Sequence, residues 1–126
     1  MDKQPTLSNS EWQVMELLWL QPHTLMELVA ALEDRIGWSK STTATMVRRM
    51  VEKGIITHDE HGRTKVFRPA VSREDVAARE TESLLQRAYS GSLGLLVSAM
   101  AQRNSLTKED LDALYAVLKK AEEDAE

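Results

Sequence analysis

Apolar residues recur at helical spacing in three successive stretches of the first half of the chain, and the pattern then switches to the alternation of a strand. In the first stretch, Trp12, Met15, Leu18 and Trp19 fall on one face. They follow Ser8-x-x-Glu11, a spacing at which a hydroxyl and a carboxylate cap each other's backbone N–H groups. A helix is expected from near Ser10, ending at Gln21-Pro22-His23, because the residue before a proline is pushed out of helical geometry. Thr24-x-x-Glu27 repeats the capping box and opens a second helix. Its buried side is set by Leu25, Leu28, Val29, Leu32 and Ile36, and Gly37 ends it.

The third stretch, residues 38–54, organises the rest. Ser39 is placed to cap a helix and Gly54 to follow its last turn. At 100° per residue, Thr43, Met46, Val47 and Met50 gather on one side. Ser41, Thr45 and Arg48 face the other way, with Thr42 and Arg49 on the flank. After Gly54, Ile55 to His58 is short and β-rich, Glu60-His61-Gly62 is expected to turn, and Thr64 to Arg68 alternates until Pro69 closes the strand. Three helices followed by a β-hairpin is the winged form of the helix-turn-helix, in which the third helix enters the DNA major groove and the hairpin lies along the backbone.

The remaining pattern is helical again. Ser72-x-x-Asp75 starts a long helix carrying Val76, Leu84, Leu85 and Tyr89, and Ser90-Gly91-Ser92 interrupts it. A short apolar helix follows with Leu95, Leu96 and Met100. Thr107-x-x-Asp110 caps a last helix with Leu111, Leu114 and Leu118 as its stripe. Helices over so short a span bury little alone, so a second copy of the chain is expected to cover them. The dimerisation residues expected are Leu84, Tyr89, Leu95, Leu96, Met100, Leu111, Leu114 and Leu118. The fold class is therefore mainly α with a small β-hairpin: a winged helix-turn-helix domain at residues 7–71 followed by a helical dimerisation domain at residues 72–126.

Composition sharpens this in one respect. The net charge of −4 argues at first against a nucleic-acid partner. The charges are segregated, however: residues 1–37 sum to −4, residues 38–73 to +5 and residues 74–126 to −5. The basic segment coincides with the third helix and the hairpin, as an electrostatic footprint for DNA requires. Lys40, Arg48, Arg49, Arg63 and Lys65 are the candidate phosphate contacts, and Ser41, Thr42, Ala44 and Thr45 are placed to approach base edges.

Other chemistry is excluded or unsupported. With no cysteine, disulfides and thiolate metal sites are ruled out. His58 and His61 could meet across the hairpin turn, but no carboxylate cluster completes a site there, and His23 lies elsewhere. No metal or cofactor is expected. There is no phosphate-binding glycine motif and no nucleophile beside a histidine, so the chain is not expected to be an enzyme. No apolar run reaches the ~20 residues of a membrane span, and the first residues carry no signal-peptide core; the expected compartment is the cytoplasm.

The blocks LSNSEWQVMELLW at 7–19, STTATMVRRMVEKGII at 41–56 and KVFRPAVSRED at 65–75, with LQRAYSGSLGLLV at 85–97 and LTKEDLDALYAVLKK at 106–120, resemble the penicillinase-repressor family of bacterial transcription regulators (the BlaI, MecI and CopY type). The resemblance implies an N-terminal winged helix, a C-terminal dimerisation region, and a palindromic operator whose occupation shuts off a promoter. By position it places Ser41, Thr42 and Ala44 at base contacts and Arg49 on a usual arginine. Ala44 stands where the β-lactam-resistance repressors hold an arginine, which implies a different operator. Copper-responsive members carry a cysteine motif that this chain lacks. Members released by proteolysis are cut in the short helix of the dimerisation region, where the aligned pair is Ala99–Met100. The expected partners are double-stranded DNA and a second copy, with an unknown signal protein or protease left open. Two other functions remain at this stage, a winged helix used as a protein-interaction module and an effector-responsive winged-helix regulator.

Overall fold

Each of the first three helices begins at its expected cap. In the computed structural model, which describes residues 6–125, α1 spans Asn9–Leu20 and α2 spans Leu25–Ile36. Ser8 and Glu11 cap the first reciprocally, and Thr24 and Glu27 the second. Helix α3, Lys40–Glu52, starts at Ser39, whose hydroxyl accepts from the Thr42 N–H. Its far end is closed by Gly54 at φ +87°, a left-handed conformation open to glycine at little cost. There Gly54 donates to the Val51 carbonyl and Ile55 to that of Met50, closing the helix in a Schellman motif.

The hairpin is longer and tighter than its pattern indicated. Strands β2, Ile56–His61, and β3, Thr64–Pro69, are joined by Gly62 and Arg63 alone, with His61 opposite Thr64. Glu60 therefore lies in a strand and not in the turn, and Arg63 moves to the tip. Asp59 and Glu60 are tolerated because β2 is an edge strand, where charged residues also discourage pairing with other chains. A third strand, β1, His23–Thr24, pairs antiparallel with β3, giving the sheet order β1-β3-β2. The wing is thus tied through β1 to the start of α2.

Helices and sheet share one core. Val14, Met15, Leu18, Leu28, Leu32, Val47, Met50, Ile55 and Phe67 are all buried in it. Trp12 and Trp19 pack against its edge with their rings 5.4 Å apart, and Trp19 donates its indole N–H to the Val71 carbonyl at 2.9 Å. Ile36, expected inside, is exposed: it is the last residue of α2, beside the left-handed turn at Gly37. Beyond the hairpin, α4 spans Arg73–Tyr89. Its first half closes the core through buried Val76 and through Glu80, which accepts the Leu7 N–H.

The chain divides into two compact units, one ending at Glu80 and the next beginning at Thr81. In the second, α5 (Leu93–Gln102) is capped by Ser92, which the sequence assigned only to the break, and α6 (Lys108–Ala125) follows reciprocal bonds between Thr107 and Asp110. Neither helix has a buried residue. Of the expected dimerisation residues, Leu84, Leu95, Met100, Leu111 and Leu118 are exposed, whereas Tyr89, Leu96 and Leu114 are half-buried. The Ala99–Met100 bond lies within α5.

Candidate nucleic-acid interface

The face that α3 turns away from the core is polar because its apolar positions are used up inside. Thr43, Val47 and Met50 are buried, while Lys40, Ser41, Thr42, Arg48 and Arg49 are exposed and Ala44 and Thr45 are half-buried. The helical angles set two shoulders on this face. Ala44, Arg48 and Val51 face the hairpin, and Thr42 and Arg49 lie on the other side.

Between the first shoulder and the wing runs a cleft of about 690 Å³. Leu25, Val47, Val51 and Phe67 form its apolar floor, and Arg48, Arg63 and Lys65 stand on its exposed rim. The strand alternation explains why Lys65 is there. Lys65 and Phe67 are two residues apart, so they share one face of β3, and buried Phe67 turns that face inward beside α3. Arg68 belongs to the opposite face. Opposite Thr57 in register, it reaches diagonally to the Asp59 carboxylate and pairs with it.

The basic segment therefore splits into two sets. Lys53 is held by both oxygens of Glu11 at 2.8 and 2.9 Å and donates to the Thr6 carbonyl. Arg68 is paired with Asp59, and Arg73 with Glu16 at 3.0 Å, the Arg73 guanidinium also lying 5.7 Å above the Trp12 ring. Among the described residues, none of Lys40, Arg48, Arg49, Arg63 and Lys65 is in a salt bridge. The three spent cations hold elements together, and the five free ones lie on α3 and the hairpin.

The Glu11–Lys53 pair is the most enclosed of the three. Burial pushes the Glu11 carboxyl up, but the Lys53 ammonium and the Ser8 N–H outweigh that and hold it below its usual value. Helix α2 is anchored similarly: the Thr24 N–H donates to Glu27 at 2.8 Å and, despite some desolvation, lowers its carboxyl. That cap fixes Thr24 and Leu25 at one end of the cleft.

Three contributors escaped the pattern reading. Thr24 and Met26 line the cleft because β1 brings them to the wing, and a two-residue strand is too short for any alternation to register. The pattern read His58 as a strand residue that could meet His61 across the turn, not as part of a cleft. The His58 ring packs edge-on to Phe67 at 5.7 Å and lines the cleft, with Nδ1 buried and without a hydrogen-bond partner among the described residues. The side chain of His61 lies outside the described residues, so its proposed meeting with His58 does too. Among the described residues no group of three or more histidines and carboxylates is arranged to hold a metal.

Comparison with known proteins agrees with this geometry. The sequence profile of the penicillinase repressor family matches residues 7–120. The penicillinase repressor of Bacillus licheniformis is 30% identical over 119 residues, 94% of this chain and 93% of that one. The solution structure of the DNA binding domain of the repressor BlaI is similar at 32% identity and a TM-score of 0.53, covering 60% of this chain and 93% of that chain. The monomeric form of B. licheniformis BlaI, solved in complex with the blaP half-operator, is similar over the same shares at 31% identity and a TM-score of 0.51. The winged helix with its polar α3 face thus belongs, with the rest of the chain, to a protein of the penicillinase repressor family.

Proposed function

We propose that this chain is a homodimeric transcriptional repressor that grips a palindromic operator with α3 and the hairpin wing. One observation carries the reading: Arg48 on the helix and Arg63 and Lys65 on the wing border a single cleft, and no carboxylate pairs with any of them among the described residues. A helix seated in a major groove needs hydroxyls and methyls on its leading face and cations on its shoulders. Ser41, Thr45 and Ala44 supply the first, with Thr42, Arg48 and Arg49 beside them; Lys40 stands at the helix start. Arg63 at the wing tip and Lys65 then follow the neighbouring phosphates. The solved complex of the relative BlaI with a half-operator supports the same use of the fold.

The dimer is supported by what the second unit leaves uncovered. Leu93 and Leu95 are each 57% exposed and Leu118 49%, in helices with no buried residue. Burying the exposed half of each such leucine contributes roughly 1 kcal/mol, and a second copy would supply the cover. Two-fold symmetry also converts two weak half-site contacts into one strong one. The repressor acts by occupying the promoter and catalyses nothing. We place it in the cytoplasm, where its DNA is; among the described residues no helix is long and apolar enough to cross a membrane. The division into a winged-helix domain and a helical dimerisation domain is part of the same proposal, with the first half of α4 serving the winged-helix core through Val76 and Glu80.

Footprinting on the DNA upstream of its own coding region is the test. The expected result is a two-fold symmetric footprint with half-sites about one helical turn apart, at an affinity ~10³-fold or more above that for shuffled duplex. Equal, weak binding to both duplexes would reject sequence-specific repression at that site.

A further inference from the structure

The cleft between α3 and the wing has more structure than a phosphate contact requires. A DNA backbone needs cations and N–H donors along a ridge, and the rim provides them. Beneath the rim, however, is an apolar floor of Leu25, Val47, Val51 and Phe67 that phosphate would leave unused. The volume, about 690 Å³, falls within the range typical of small-molecule pockets. Glu52 lines the opening and Glu60 lies opposite Lys65 in register, but among the described residues no carboxylate forms a salt bridge with Arg48, Arg63 or Lys65. In the wall, the His58 ring packs edge-on to Phe67 and extends the apolar floor. Apolar floor and cationic rim describe a particular ligand: a flat or branched apolar body carrying a carboxylate.

We propose that this cleft binds a small amphipathic carboxylate, and that its occupation competes with DNA for the same cations. The apolar body lies on Val51 and Phe67, and the carboxylate meets Arg48, Arg63 and Lys65. Binding itself follows from the cleft alone; the competition rests on the operator-binding reading above. Because the ligand neutralises groups that the duplex needs, it releases DNA without any movement of the fold. The effector regulator left open by the sequence thus acquires a site and a ligand class.

Sodium 1-naphthoate is the probe and its neutral amide, 1-naphthamide, the control. Both are titrated into the full-length protein by calorimetry and by amide shifts in NMR spectra. The expected result is saturable naphthoate binding, with shifts centred on Leu25, Val51 and Phe67, and at least tenfold weaker binding of the amide. Val51→Trp, which fills the cleft, should abolish it. Should that variant fail to fold, Lys65→Gln carries the test: it should weaken naphthoate several-fold and leave the amide unchanged. Shifts confined to the leucine-lined groove between α5 and α6, or equal binding of acid and amide, would overturn the site. In a second arm, saturating naphthoate should lower the affinity for upstream duplex at least tenfold. Naphthoate bound in the cleft beside an undiminished protein–DNA complex would overturn the competition. Failure of the duplex to bind the free protein at all would instead count against the operator reading, with the calorimetry unaffected.

Discussion

The two units of this chain are built from the same kind of helix and use it in opposite ways. In the first, each of α1, α2 and α3 has an apolar stripe that finds a partner: Leu18, Leu32 and Met50 are at most 2% exposed. In the second, α5 and α6 have stripes as regular, and the described residues cover none of them completely. Amphipathic periodicity states that a face will be covered but not by what. The first unit adds a sheet that closes the core from the remaining side. Among the described residues the second has no such element, and the proposed second copy would cover its exposed leucines.

The largest expected effect breaks the first unit. Leu18→Ala removes a side chain from a closed core and should cost about 3–4 kcal/mol in denaturant unfolding, whereas Leu111→Ala, at an exposed site, should cost well under 1 kcal/mol within one protomer. The second sharpens the difference by acting between copies. Leu118→Asp should raise the dimer dissociation constant by about 10²-fold, roughly 2.7 kcal/mol, in sedimentation equilibrium, with the near-UV spectrum of the winged helix unchanged. A fully monomeric wild type would contradict the use proposed for the second unit.

A smaller effect concerns pH. Glu11 has its carboxyl depressed in the folded state, so its contribution is present above the unfolded value and is lost as pH falls through the folded one. Stability should begin to decline below about pH 4.5, the ordinary value. Glu11→Gln, which leaves Lys53 without its partner, should cost about 2 kcal/mol at neutral pH and flatten that acid limb. Parallel acid-unfolding curves for variant and wild type would show that the Glu11–Lys53 pair contributes nothing.

Legibility from sequence follows the same division. The caps at Ser8, Thr24, Ser39 and Thr107 were readable because their chemistry is local, complete within four residues. The winged fold was readable because a change of period separates helix from hairpin. The hairpin turn was expected at Glu60-His61-Gly62, but Glu60 and His61 belong to β2, an edge strand that tolerates polar residues, and the connection is Gly62-Arg63. Strand β1 could not be seen, because two residues acquire strand geometry only from the partner they meet in β3. The sequence placed all eight cations of residues 38–73 in one basic block. Which of them are free is set by contacts to residues far off in the chain: Lys53 to Glu11, Arg73 to Glu16.

That partition of cations is the central claim, and the salt dependence of duplex binding tests it most directly. Each phosphate contact contributes about 0.9 to the slope of log affinity against log salt. Lys65→Gln and Arg48→Gln should each reduce the slope by about one unit per protomer and weaken binding by about 10-fold or more. Arg68→Gln and Arg73→Gln, which remove cations already held by carboxylates, should leave the slope within error of wild type. Equal losses of slope from all four variants would mean that the paired and unpaired cations are one set and that the internal salt bridges do not choose the DNA-binding face.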